Sequence, residues 1–296
     1  MISYPNVKVN LGLNVLRKRE DGFHDLETLF VPYAGIHDTL EIISGDDFSK
    51  TSASMFARYG RDMLVQGISP DGKLMITIAR KEGVDWDPLK DLCAKAYLML
   101  DEDFNLPAVK IFLEKTSPVG AGLGGGSSDA AFTLRMLSDL YGLGLSDEKL
   151  AGYAARLGSD CAFFIYNQPM IGEGRGEVLT PFPVENISFG PSGKEDGAPA
   201  GKLPYRLEVI VPEGVAVSTA DAYRGIIPAV PEESLRTALS KPVTEWKDCL
   251  KNDFEKTVFA KWPELQAVKD SLYRSGAVYA AMSGSGSALF AIYRED

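Results

Sequence analysis

The stretch Pro118-Val-Gly-Ala-Gly-Leu-Gly-Gly-Gly-Ser-Ser-Asp-Ala-Ala131 carries the residues of this chain best suited to chemistry. Five glycines and two serines lead into a run in which Ala130, Leu134, Leu137 and Tyr141 recur at helical spacing. A glycine loop that opens a helix offers free backbone N–H groups and the positive end of the helix dipole, a site suited to phosphate. Gly120, Gly122 and Gly125 also satisfy the spacing of a dinucleotide fingerprint. That reading lacks the first strand-helix-strand unit and its ribose-binding acid. Gly120 and Gly125 fit the Walker spacing, but Gly126 stands where the lysine is required. Phosphate would therefore be bound by amides, and a cation must arrive from elsewhere in the chain.

The elements that would position this loop can be read from periodicity and turn residues. Residues 7–16 alternate and read as a strand, followed by a basic turn through Gly22, Phe23 and His24. Residues 39–43 and 74–78 read as strands, 89–100 as a helix, and 109–113 as the strand entering the loop. Ser146 reads as the N-cap of a helix that runs towards Gly158. Gly172, Gly174 and Gly176 mark a loop, and residues 189–204, rich in Gly, Pro and charge, read as a mobile surface loop. Residues 207–211 read as a strand, and 233–239 and 264–275 as helices. Strands over 277–282 and 288–293 flank a second small-residue turn, Ser283-Gly-Ser-Gly-Ser287. Strands and helices mixed in both halves predict two packed α+β domains.

The 296 residues give room for a sizeable core, and 45% hydrophobic with 24% charged residues argue against disorder. No apolar run reaches membrane-spanning length, and the first residues resemble neither a signal nor a transit peptide. Three scattered cysteines, Cys93, Cys161 and Cys249, have no metal or redox spacing. A reducing cytoplasm, in a bacterium, is the expected compartment. The net charge of −10 disfavours nucleic acid and anionic membranes as partners. Arg17-Lys18-Arg19 is the densest basic spot, and reads equally well as a phosphate attractor or a solvated turn.

The loop has companions: Lys8 and Asn10 on the first strand, Asp160 in Gly158-Ser-Asp-Cys-Ala-Phe-Phe164, and the late turn Ser283, Gly284, Ser285 and Gly286. Together they resemble the GHMP kinases, small-metabolite kinases whose motifs fall in this order. The resemblance spans nearly the whole chain. It implies an N-terminal ribosomal-protein-S5-like ATP domain over 1–165, a C-terminal ferredoxin-like domain over 166–296, and a cleft between them.

The chemistry implied is phosphoryl transfer from ATP with Mg²⁺, where catalysis is mostly positioning and charge neutralisation. Pro118, Gly120, Gly122, Leu123, Gly124, Gly125, Gly126, Ser127 and Ser128 would hold the ATP phosphates, with Ser128 a candidate Mg²⁺ ligand. Asp160 would accept the proton of the attacking hydroxyl. Lys8 would supply the missing cation, hold Asp160 ionised and offset charge on the transferred group. Taken alone, Asp160 reads as a solvated carboxylate and Lys8 as a strand-end charge.

Arg19-Glu-Asp-Gly-Phe-His24, Thr28-Leu-Phe30, Asp38-Thr-Leu40, Gly174-Arg-Gly-Glu177, Val217-Ser-Thr219 and Asn252-Asp253 match the branch of the family whose acceptor is a cytidine diphosphate-linked methylerythritol. On that match Phe23 would stack on the base and His24 read its edge, while Asn10 and Thr219 would contact diphosphate or polyol. Three departures stand out. The acid motif has Cys161-Ala162 in place of a valine-proline pair, Gln168-Pro169-Met170 replaces small residues, and Asp91 stands where asparagine is common near the adenine pocket. The alternatives are a GHMP kinase of mevalonate or homoserine type, or a non-catalytic ligand sensor on the same fold. Monomer and homodimer both remain open.

Overall fold

The computed structural model describes residues 1–45, 47–189 and 203–295. The surface loop expected over 189–204 therefore lies, from 190 to 202, outside the described residues. In chain order the first elements are β1 (Ile2–Ser3), β2 (Asn6–Lys18), β3 (His24–His37), β4 (Thr39–Ser44), α1 (Ser52–Tyr59), β5 (Leu64–Ile68) and β6 (Leu74–Arg80). Next come α2 (Leu92–Phe104), β7 (Val109–Lys115), α3 (Gly125–Leu140), α4 (Asp147–Leu157), α5 (Cys161–Tyr166), β8 (Met170–Gly174) and β9 (Val178–Pro181). The chain continues through β10 (Ile187–Ser188), β11 (Tyr205–Ile210), α6 (Thr219–Tyr223), α7 (Leu235–Leu239), α8 (Trp246–Cys249), α9 (Phe254–Lys261), α10 (Pro263–Arg274), β12 (Tyr279–Met282) and β13 (Leu289–Arg294).

The chain forms two compact units, and they are not the contiguous halves 1–165 and 166–296. One unit comprises residues 1–7, 36–119 and 125–166; the other comprises 8–35, 120–124 and 167–296. The first unit ends at Tyr166. The long strands at the N-terminus, however, fold with the C-terminal residues, because they bury their apolar side chains there. Leu13 and Val15 belong to one core cluster with Phe254, Val258, Leu265, Met282 and Leu289.

The first unit is built on a five-stranded sheet in the order β1-β4-β7-β6-β5. The parallel pair β6–β7 is bridged by α2, the connection such a pair requires. Ile111 and Leu113 are fully buried, while Phe112, pointing the opposite way, packs with Ile43, Ala79 and Met55 of α1. Alternate side chains of β7 thus serve two faces. Ser146 caps α4 by accepting a hydrogen bond from the Lys149 amide at 3.4 Å, as its sequence position predicts.

The second unit carries two four-stranded sheets, β2-β3-β8-β9 and β10-β11-β13-β12. Strand β2 is buried without interruption from Asn6 to Val15, so the alternation read in its sequence is not an inside–outside pattern. The glycines at 172, 174 and 176, expected to mark a loop, instead lie on β8 and in the tight turn into β9, with Gly174 and Gly176 at φ +70° and +106°. Among the described residues no helix is long and apolar enough to cross a membrane.

Candidate active site

Asp38 sets the path of the chain into the glycine loop. Its carboxylate accepts hydrogen bonds from the backbone amides of Thr116 at 2.6 Å and Ser117 at 2.7 Å, and from Ser117 Oγ at 2.6 Å. Lys115 Nζ donates to Asp38 at 2.5 Å and to Asp129, on the first turns of α3, at 2.6 Å. One buried ammonium cannot satisfy two buried carboxylates equally. Burial raises both acids, but in Asp38 the lysine and the Ser117 donors outweigh it and the carboxyl is held below its ordinary range. Asp129 Oδ1 has no hydrogen-bond partner, and burial pushes this carboxyl well above that range. Lys115 is raised despite its own burial, because both acids face it.

The loop itself is glycine for stated reasons. Gly120, Gly122 and Gly124 take φ values of +74°, +78° and +73°, and a β-carbon on Gly125 would lie 2.3 Å from Ser117 Oγ. A β-carbon on Gly122 would lie 2.3 Å from the Ser283 carbonyl oxygen. Helix α3 starts at Gly125, so the amides of Gly125, Gly126 and Ser127 are in its first turn, where an anion is stabilised.

Ser127 is half-buried and Ser128 fully buried, its Oγ without a hydrogen-bond partner. A β-carbon on Gly158, at the end of α4, would lie 3.9 Å from Ser127 Oγ and 3.2 Å from Cys161 Sγ. The Cys161 thiol is hydrogen-bonded with Ser127 and is pushed up to about 11, chiefly by burial. The turn that carries Asp160 is thus held beside the first turn of α3, in the same unit. Asp160 is half-buried in that turn, immediately before α5. Cys161 and Ala162, the departure from the family pattern, are buried and fill the base of the turn.

In the other unit, Lys8 and Asn10 lie in the middle of β2 and are each 3% exposed, so neither is a solvated strand end. Lys8 Nζ donates to Asn10 Oδ1 at 2.6 Å and to the Gly122 carbonyl at 2.9 Å. The Lys8 amide donates to Leu123 O at 2.9 Å, and the Ala288 amide donates to Ala121 O at 3.0 Å. Asn252 Nδ2 holds the late turn by donating to Met282 O and Gly284 O, each at 2.8 Å. Ser283 Oγ donates to Gly122 O at 3.2 Å, and Ser285 Oγ lies 3.5 Å from Thr219 Oγ1 at the start of α6. The structure therefore brings together Lys8, Asn10, residues 121–123, Thr219 and the late turn Ser283-Gly284-Ser285-Gly286.

Phe23 is 55% exposed, and the Arg175 guanidinium lies 5.0 Å from its ring centre. The His24 ring stacks on Tyr223 at 4.8 Å, with 24° between the planes, and Tyr223 meets Phe254 edge-on. Burial, helped by Lys18, lowers the His24 pKa, which favours a neutral ring with one donor and one acceptor nitrogen. The basic spot at 17–19 is largely compensated: Arg17 pairs with Asp25, and Arg19 with Asp21 and Asp25 at 3.0 Å each. Its reading as a phosphate attractor is weakened accordingly. Asp91 is a helix cap, accepting from the Cys93 amide at 2.9 Å and from Trp86 Nε1 at 3.0 Å.

The sequence reading missed Lys115, Asp38, Asp129 and Tyr223 as members of these clusters, and gave Thr28 and Asn252 no role. Asp129 stands inside the glycine motif, and Thr28, Asp38 and Asn252 inside matched segments, so a signal existed for them. Tyr223 offers none beyond following Thr219 by four residues.

The comparisons bear on the whole chain. The 4-diphosphocytidyl-2-C-methyl-D-erythritol kinase of Bacteroides fragilis is 42% identical over 293 residues, which are 99% of this chain and 92% of that protein. The chain belongs to the GHMP kinase family. The family models for the GHMP kinases N terminal domain and GHMP kinases C terminal match residues 91–168 and 234–296 of this GHMP kinase. A protein of the same name from Nitratidesulfovibrio vulgaris is 33% identical, covering 97% of this chain and 88% of its own. The crystal structure of a 4-(cytidine 5'-diphospho)-2C-methyl-D-erythritol kinase superposes with a TM-score of 0.72 at 29% identity, covering 98% of this chain and 89% of that one. Homoserine kinase from Cytophaga hutchinsonii shares the fold, with a TM-score of 0.61 at 18% identity over 99% of this chain and 86% of its own. The GHMP kinase described here is an ATP-dependent small-molecule kinase with the family's two-domain architecture.

Proposed function

We propose that this GHMP kinase transfers the γ-phosphoryl group of ATP to the 2-hydroxyl of 4-diphosphocytidyl-2-C-methyl-D-erythritol, a step in the non-mevalonate supply of isoprenoid precursors. The observation that carries the reading is the relatives of that name, matched over nearly the full length of both chains. The pairing of exposed Phe23 with a neutral, stacked His24 supports it, because mevalonate and homoserine bring no base to read.

In this reading the amides at the start of α3 hold the ATP phosphates, and Mg²⁺ enters as part of the nucleotide substrate. Ser127 is the partly exposed serine of the pair, and Ser128 is enclosed. Asp160 takes the proton of the attacking hydroxyl as its oxygen bonds to the γ-phosphorus and the bond to the β,γ-bridging oxygen breaks, releasing ADP. Lys8, held by Asn10 and Gly122, offsets charge on the transferred group. Phe23 stacks on the cytosine, and His24 offers one donor and one acceptor to its edge. The protein acts in the cytoplasm on a small molecule, with neither nucleic acid nor membrane as a partner.

Thermal unfolding tests the base-reading element. Cytidine 5'-diphosphate should raise the melting temperature in a concentration-dependent way, while mevalonate and homoserine leave it unchanged. Protection by mevalonate or homoserine alone would refute the assignment.

A further inference from the structure

Asn10 receives the Lys8 ammonium on its amide oxygen at 2.6 Å, which requires that the amide present oxygen, not nitrogen, to the lysine. The reverse orientation would set NH₂ against NH₃⁺, two donors facing each other inside the protein. The side chain that decides the orientation is on the neighbouring strand. Asn10 Nδ2 donates to Thr28 Oγ1 at 3.0 Å, and Thr28 Oγ1 donates to the Gly12 carbonyl at 2.5 Å. Because its one proton is committed to Gly12, the Thr28 hydroxyl can only accept from Asn10. The result is a chain with one direction, from Lys8 to Asn10, Asn10 to Thr28 and Thr28 to Gly12.

The surroundings leave this chain little freedom. Thr28 is fully buried, and Asn10 and Lys8 nearly so. The Asn10 backbone amide is itself directed at Ser283 Oγ, at 3.3 Å. A β-carbon on Gly284 would come within 3.2 Å of Asn10 Oδ1 and 3.5 Å of Lys8 Nζ, so the late turn closes over the pair. In this dry setting an unpaired polar group is costly and a satisfied network is rigid.

We propose that Thr28 is a positioning residue, whose hydroxyl fixes the orientation of the Asn10 amide and thereby aims the Lys8 ammonium. The proposal rests on Lys8 as the cation that serves phosphoryl transfer. Thr28 touches neither ATP nor acceptor in it and acts through Asn10.

Thr28→Val keeps the side-chain shape and removes both hydrogen bonds; Thr28→Ser keeps the hydroxyl. The expected result for Thr28→Val is a fall in kcat of about tenfold or more, the rate equivalent of one buried hydrogen bond. KM for ATP and for the cytidine acceptor should each stay within about twofold, and Thr28→Ser should recover most of kcat. A wild-type kcat in Thr28→Val, a loss that Ser does not recover, or a KM rise matching the kcat loss would overturn the proposal. A second readout needs no turnover. The Asn10 side-chain amide, assigned by the signal lost in Asn10→Asp, should exchange slowly with solvent in the wild type and in Thr28→Ser, and faster in Thr28→Val. Unchanged exchange in Thr28→Val would overturn the relay whatever acceptor the enzyme uses, so its failure is distinguishable from failure of the substrate assignment.

Discussion

Ser127 and Gly158 stand so close that a β-carbon on Gly158 would lie 3.9 Å from Ser127 Oγ. The first turn of α3 and the turn carrying Asp160 are therefore fixed against each other within one compact unit. Asp160→Ala should lower kcat by about 10²–10⁴-fold, the usual contribution of a general base, and leave the dissociation constant for ATP nearly unchanged. Turnover at the wild-type rate in this variant would remove Asp160 from the mechanism.

Phe23 offers its ring to solvent. Phe23→Ala should raise KM for the cytidine acceptor about 5- to 150-fold, corresponding to roughly 1–3 kcal/mol of base stacking, with KM for ATP close to wild type. Equal rises for both substrates would contradict the stacking role. Arg175 rests on the same ring, so Arg175→Ala is the control for indirect loss of the ring's position.

The Lys115 cluster predicts an asymmetry between its two acids. Asp38 is held low despite its burial, so its contribution to stability is present above the ordinary carboxylate range and is lost as pH falls through the depressed value. Asp129 is pushed up by burial, so its contribution is present at low pH and is lost as pH rises through the raised value. Asp38→Asn should destabilise the protein by about 3 kcal/mol at neutral pH, the low end for a broken buried pair, since Asp129 remains to pair with Lys115. Asp129→Asn should cost under about 1 kcal/mol and gain on the wild type as pH rises through the raised value. Urea unfolding at several pH values measures both; equal losses in the two variants would contradict the division of roles.

Much of the fold was legible because local signals agreed with tertiary structure. The strands expected over 39–43, 74–78, 109–113 and 207–211 are found at 39–44, 74–80, 109–115 and 205–210, and the helix capped by Ser146 is found where its cap places it. Strand β3 follows directly on the turn at Gly22, Phe23 and His24 but has no strand reading of its own, and its identity as a strand is decided by pairing with β8. The glycines at 172, 174 and 176 read as a loop because a tight turn and a strand edge share that residue type. The assignment of residues 8–35 to the C-terminal unit was hidden for a deeper reason. Periodicity reports that a strand is buried, not which core buries it.

The candidate site was partly legible for the same reasons. The glycine loop announces itself, since φ near +75° and contacts under 3 Å leave Gly122 no alternative. Lys115 and Tyr223 lie far in sequence from Asp38 and His24 and form no local pattern. Only the folded chain gathers them.

The most direct test of the substrate assignment is ADP release in a coupled assay with Mg-ATP, comparing 4-diphosphocytidyl-2-C-methyl-D-erythritol with mevalonate, homoserine and no acceptor. The expected result is release with the cytidine acceptor alone. Release with mevalonate or homoserine, and none with the cytidine acceptor, would contradict the assignment of Phe23 and His24. ATP binding without release with any acceptor would place the chain among non-catalytic ligand sensors on this fold.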